Sequence, residues 1–147
     1  MSVLLTASLS ATLPLSAASH VDVVKMRTEN QVNPLGIGTS TPRFSWQITS
    51  DRKGVVQTSY QILVASSREK LDRNEADLWD SGERNSDEQL WIPYQGKALL
   101  SGAQAYWKVR ITTNKGKSEW TEPQLFTIGL LGETKWSGTW IGLEDLQ

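Results

Sequence analysis

Between Ala103 and Gly129 the chain reads AQAYWKVRITTNKGKSEWTEPQLFTIG. Its first half alternates strictly: Ala105, Trp107, Val109 and Ile111 fall on one face of an extended backbone, and Tyr106, Lys108, Arg110 and Thr112 on the other. That period predicts a strand with one dry face and one wet face. Asn114-Lys115-Gly116-Lys117 reads as a turn, with glycine to take a positive φ, and Leu125 to Ile128 supply a second β-rich run. The two runs make an antiparallel hairpin joined by a short loop. A lone hairpin is marginal in water, so the face carrying Trp107 needs a second sheet over it.

The remaining segments supply that sheet. Val21 to Arg27 alternates loosely, with Val24 and Met26 on one side, and suits a short first strand. Asn33-Pro34-Leu35-Gly36-Ile37-Gly38 breaks it, since Pro34 has no N–H to donate. Phe44, Trp46 and Ile48 alternate with polar neighbours, Asp51-Arg52-Lys53-Gly54 turns, and Tyr60, Ile62 and Val64 repeat the pattern against Gln61 and Leu63. Ser66 to Ala76 is the one candidate helix; with Leu71 as its single large apolar residue it predicts a turn or two, a connection between layers. Leu78 to Gly82 and Gln89 to Tyr94 read as short edge strands, the second marked by Pro93. About seven strands result, so the fold class is all-β, an antiparallel β-sandwich.

Composition narrows the partners. Fifteen basic residues against sixteen acidic give a formal charge of −1 with no block of one sign, which points to neither nucleic acid nor an anionic membrane surface. The chain has no cysteine, which excludes disulfides, thiolate zinc sites and cysteine nucleophiles. Met1 to Ser19 is uncharged, apolar between serines and threonines, and ends in small residues, as the back half of a secretory signal peptide does. No Lys or Arg precedes Lys25, so the expected start lies upstream; the run is too short and too rich in Ser and Thr for the ~20 apolar residues of a membrane span. Export to a periplasmic, cell-surface or secreted location is the expectation.

Candidate chemistry is sparse. Asp77, Asp80, Asp87, Glu88, Glu119 and Glu122 fall in turns and loops, where solvated surface charge is the ordinary role. His20, the only histidine, lies at the expected mature N-terminus, where neither a Ser-His-Asp arrangement nor a histidine metal site can be assembled around it. Gly36-Ile37-Gly38 lacks the strand-to-helix setting and the lysine of a phosphate loop. No catalytic, cofactor or metal residue is assigned. The seven tryptophans are the unusual feature. Trp46, Trp107 and Trp120 are expected in or near the core. Trp79 and Trp91, on edge strands, stay open between interdomain docking, core packing and glycan binding.

Several stretches carry a resemblance. Phe44-Ser45-Trp46, Leu99 with Ser101-Gly102, and Gly116 to Pro123 before the last strand resemble a fibronectin type III domain, over about Val21 to Gly129; Ala105 stands where that family usually has its corner tyrosine. A closer resemblance rests on Glu29 with Asn33-Pro34-Leu35-Gly36-Ile37, Pro42-Arg43-Phe44-Ser45-Trp46, Gln57 to Ile62, Leu78-Trp79-Asp80-Ser81-Gly82 and Trp136 to Gly142. In that order they look like the N-terminal region of bacterial α-L-rhamnosidases. With the signal-like run over 1–19 set apart, the resemblance implies a fibronectin type III-like or immunoglobulin-like sandwich over 20–129 and a linker with the start of a second β domain over 130–147, to which Trp136 and Trp140 belong. It also implies an inverting glycosidase whose two carboxylates, roughly 6.5–9.5 Å apart, sit in a helical barrel beyond Gln147. The implied partners are downstream domains of the same polypeptide and rhamnose-containing glycans. The alternative is a free-standing cell-surface sandwich that binds glycan or protein.

Overall fold

The structure is a computed structural model and describes residues 20–132. The expectations for 1–19 and for Trp136 and Trp140 lie outside the described residues. Among the described residues nine strands and one short helix follow in order: β1 (Val21–Thr28), β2 (Arg43–Ser50), β3 (Gln57–Ala65), α1 (Arg68–Asp72), β4 (Trp79–Asp80), β5 (Arg84–Asn85), β6 (Ile92–Pro93), β7 (Gln104–Thr113), β8 (Gly116–Lys117) and β9 (Gln124–Thr127).

One sheet runs β1-β2-β6 and the other β4-β3-β7-β8, with β5 also on β3 and β9 also on β7. All of these pairings are antiparallel. Because β4 and β5 share one side of β3, and β8 and β9 share one side of β7, the nine segments form seven ribbons. The expected seven-stranded sandwich is therefore present, with two of its edges interrupted. The Asn114-Lys115 turn feeds β8 first, and β9 then rejoins β7 further back, so the last hairpin is longer-armed than its short loop suggested.

Hydroxyls close those interruptions. Ser81 lies between β4 and β5, where its Oγ accepts from the Ile62 N–H at 2.8 Å while its own N–H donates to the Ile62 carbonyl. Ser118 and Thr121 do the same between β8 and β9, accepting from the N–H groups of Ile111 and Val109. A serine or threonine side chain thus supplies the acceptor where the edge backbone has bulged out of reach. The free side of β9 is covered by the Asn33 to Ile37 loop: Asn33 Oδ1 accepts from Leu125, and the Ile37 N–H donates to the Thr127 carbonyl. An open edge is an aggregation hazard, and this loop removes one.

The core lies between the sheets. Phe44 and Trp107 stack with centroids 4.4 Å apart, Phe126 meets Phe44 edge-on, and Trp46 meets Tyr60 at 5.3 Å. Ile62, Val64, Val109 and Ile111 complete it, all buried. The register explains the alignment, since Ile62 faces Val109 and Val64 faces Trp107, and directly opposed antiparallel residues share a face.

Four details go beyond the sequence pattern. A bulge between Val24 and Arg27, with Lys25 at φ 50°, inserts one residue into β1. Parity therefore flips, and Met26 shares its inward face with Val21 and Val23 while Val24 does not. Lys108, on the nominally wet face of β7, is buried. Helix α1 lies over that face, with Leu71 buried against Leu63 and Ala65, and the Lys108 ammonium donates to the Leu71 carbonyl and to Asn74 Oδ1. Burial pushes that ammonium below its ordinary pKa. Trp120 belongs to this outer cluster and not to the main core; Lys108 and Arg110 sit over its ring at 5.1 and 4.5 Å. Finally, with Ala105 in the corner position, Tyr94 pins the β6–β7 connection instead, its hydroxyl donating to the Lys97 carbonyl at 2.7 Å.

Candidate functional site

Three of the carboxylates singled out from sequence, Asp77, Asp80 and Glu122, are held as surface structure. Asp77 accepts from the Lys70 ammonium at 2.7 Å and from both the N–H and hydroxyl of Ser66, Glu122 pairs with Arg68, and Asp80 accepts from Gln61 and from the Gly82 N–H. Burial alone would raise the Asp77 pKa, but the Lys70 and Ser66 hydrogen bonds outweigh it and hold the carboxyl near 2. Glu29, Glu69, Glu75 and Glu83 are likewise lowered. Such groups stay ionised, the reverse of what a general acid needs. His20 forms an exposed pair with Asp22. Among the described residues no group of three or more His, Asp or Glu side chains is placed to hold a metal, and no helix is long and apolar enough to cross a membrane.

Asp77 carries a pH prediction. Its folded pKa lies below its ordinary value of 3.8, so its stabilisation is complete above about pH 4 and is lost as pH falls toward 2. The side chain is 33% exposed, and after allowance for solvent screening the effect is on the order of 1 kcal/mol. Urea unfolding of Asp77→Asn should therefore differ from the parent by that amount at pH 7 and by almost nothing near pH 2. An equal difference at both pH values would contradict the ionic origin.

The two open tryptophans separate. Trp79 opposes Val64 across the β3–β4 pairing and points inward, packing on Phe44 at 6.4 Å and on Tyr94 at 5.5 Å. A Cβ on Gly96 would lie 2.4 Å from the Trp79 Cβ, so only glycine lets that loop close over the ring. Trp79 is thus a packing residue at the margin of the core. Trp91 precedes the inward Ile92 and points the other way, 46% exposed beside exposed Leu90.

Trp91 stands in a built setting. Arg43 places its guanidinium 4.3 Å from the indole centroid and is itself clamped by Glu29, through Nε to Oε1 at 3.1 Å and Nη2 to Oε2 at 2.8 Å. Those hydrogen bonds from Arg43 lower the Glu29 pKa. The Trp91 backbone N–H donates to Ser45 Oγ. A cleft of about 260 Å³ opens beside the ring, lined by Lys25, Arg27, Asn30, Gln47, Leu90 and Trp91 among others. Of the six non-glycine residues in the left-handed region among the described residues, Lys25, Asn30 and Trp91 line this cleft and Glu29 holds its clamp. For Lys and Trp that conformation costs about 1–2 kcal/mol each. Sequence reasoning missed Lys25, Arg27, Asn30 and Gln47; the Ile92–Tyr94 alternation was the one available sign that Trp91 faces out.

A sandwich of three and four antiparallel ribbons defines an immunoglobulin-like module. Residues 23–132 match the family described as the Rha78A-like, N-terminal immunoglobulin domain, and the chain belongs to that family. An α-L-rhamnosidase of Formosa agariphila is 39% identical over 129 residues, 86% of this chain. The crystal structure of the Streptomyces avermitilis α-L-rhamnosidase complexed with L-rhamnose superposes with a TM-score of 0.77 at 36% identity, over 84% of this chain and 12% of that one. The α-L-rhamnosidase structure from Dictyoglumus thermophilum gives 0.76 at 35% identity, over 84% of this chain and 14% of that one. The chain spans 14% of the length of the Formosa relative, and so corresponds to an N-terminal region of such enzymes.

Proposed function

We propose that this chain is the non-catalytic N-terminal module of an exported α-L-rhamnosidase, whose catalytic domain lies outside these 147 residues and hydrolyses terminal α-L-rhamnosides with inversion. The observation that carries this reading is the family match over 23–132 together with the 14% share of the relative that the chain covers. Its role is placement of the following domain. Leu35, Leu100 and Leu130 are exposed on three loops tied together at the pole where the chain leaves, by Gly102 N–H to the Ile128 carbonyl and Gly129 N–H to the Ile37 carbonyl. Exposed leucines gathered at one end suit a downstream domain of the same polypeptide.

The test compares two polypeptides on an aryl α-L-rhamnoside. The 147-residue chain should give no turnover above buffer, and the complete gene product should release rhamnose that appears first as the β anomer by proton NMR. Turnover by the short chain would overturn the non-catalytic assignment, and α anomer first would overturn inversion. Protein recovered outside the cytoplasm should begin near Ser19 or His20; a retained Met1 would remove the export reading.

A further inference from the structure

We infer that the cleft beside Trp91 binds an acidic saccharide, one sugar ring bearing a carboxylate. This does not rest on the parent enzyme's chemistry. The half-exposed indole offers a flat apolar surface for the C–H face of a sugar, and the Arg43 guanidinium at 4.3 Å fixes the ring before any ligand arrives. Glu29 spends its charge on Arg43, so the cleft's uncancelled charges are Lys25 and Arg27. No ion pair involves either among the described residues. Two cations beside an aromatic platform call for an anionic ligand. The amides of Asn30 and Gln47 supply the donors and acceptors that ring hydroxyls need.

Size and lining favour a sugar over a protein. A volume near 260 Å³ falls below the roughly 300–1,000 Å³ of pockets for drug-sized ligands and suits a single ring. A protein docking centre is dry and apolar, whereas Leu90 is the only other exposed apolar side chain here and polar groups surround the ring. The backbone supports the same conclusion. Lysine and tryptophan in the left-handed region are held there against their preference, and such residues gather where the fold must aim a side chain at a ligand. The β1 bulge at Lys25 is one such aiming device.

The experiment follows the indole N–H resonances of the 147-residue chain by NMR while a glucuronate-bearing trisaccharide is added, then its neutral counterpart. The Trp91 resonance should move saturably with the acidic sugar and roughly tenfold more weakly with the neutral one, and salt should weaken only the acidic case. Trp91→Ala should abolish binding, Trp91→Tyr should keep part of it, and Lys25→Ala with Arg27→Ala should lower affinity roughly tenfold and erase the preference for the acidic sugar. No saturable shift at about 10 mM acidic sugar, or equal affinity for both sugars, would overturn the inference. So would a Trp91 resonance that responds only to residues beyond Gln147, which would mark the cleft as a docking surface for protein.

Discussion

Replacing Trp107 by alanine should lower the unfolding free energy of the sandwich by roughly 3–5 kcal/mol. The indole is fully buried, stacks on Phe44 from the opposite sheet at 4.4 Å, and stands across the register from Val64. Its removal opens a cavity where the two sheets meet, and neither sheet can collapse into it without breaking strand pairing. Against the roughly 5–15 kcal/mol that holds a typical domain folded, this is a large fraction. Trp107→Phe should cost much less. It keeps a ring against Phe44, and it removes the indole N–H, a buried donor with no hydrogen-bond partner among the described residues. Urea titrations read both values from the shift in midpoint at unchanged slope. A loss below about 1 kcal/mol for the alanine variant would deny that the sheets are joined through this ring.

How much of this was readable beforehand turns on parity and register. In β7 the alternation runs unbroken, so Trp107, Val109 and Ile111 fall inward as the period-two pattern requires. In β1 and β3 a bulge inserts one residue, between Val24 and Arg27 and between Gln57 and Ser59, and everything beyond it changes face. No residue type announces those insertions: Lys25 and Thr58 are ordinary strand residues by composition. Lys108 was legible as polar but not as buried, because α1 covers it from a distant part of the chain. Trp79 and Trp91 look alike in sequence, each on a two-residue edge strand or next to one. They are told apart by Trp79 facing Val64, a register that only the folded sheet contains. The cleft was hidden for the same reason, since β1, the turn after it, and the approach to β6 meet only through β2.

Gln57 is the residue whose importance composition conceals most, and Gln57→Leu should cost roughly 2–4 kcal/mol. Strict alternation back from Tyr60, Ile62 and Val64 would turn Gln57 to solvent; the bulge at Thr58 turns it inward, where it is 2% exposed. There its Oε1 accepts from Trp46 Nε1 at 3.0 Å, and its Nε2 donates to the Ser86 and Glu88 carbonyls at 3.0 and 2.9 Å. One amide thus satisfies a buried indole and ties the 86–89 segment to the core. Leucine fills similar space but leaves the Trp46 N–H buried without an acceptor, and a buried orphan donor costs more than a hydrogen bond contributes. The double variant Trp46→Phe, Gln57→Leu removes donor and acceptor together. Its cost should fall short of the sum of the single variants by roughly 1–2 kcal/mol. In Gln57→Leu alone the Trp46 indole proton should exchange with solvent faster than in the parent, as the 86–89 segment loosens. Strict additivity, or an unchanged exchange rate, would mean that the amide and the indole are neighbours without being coupled.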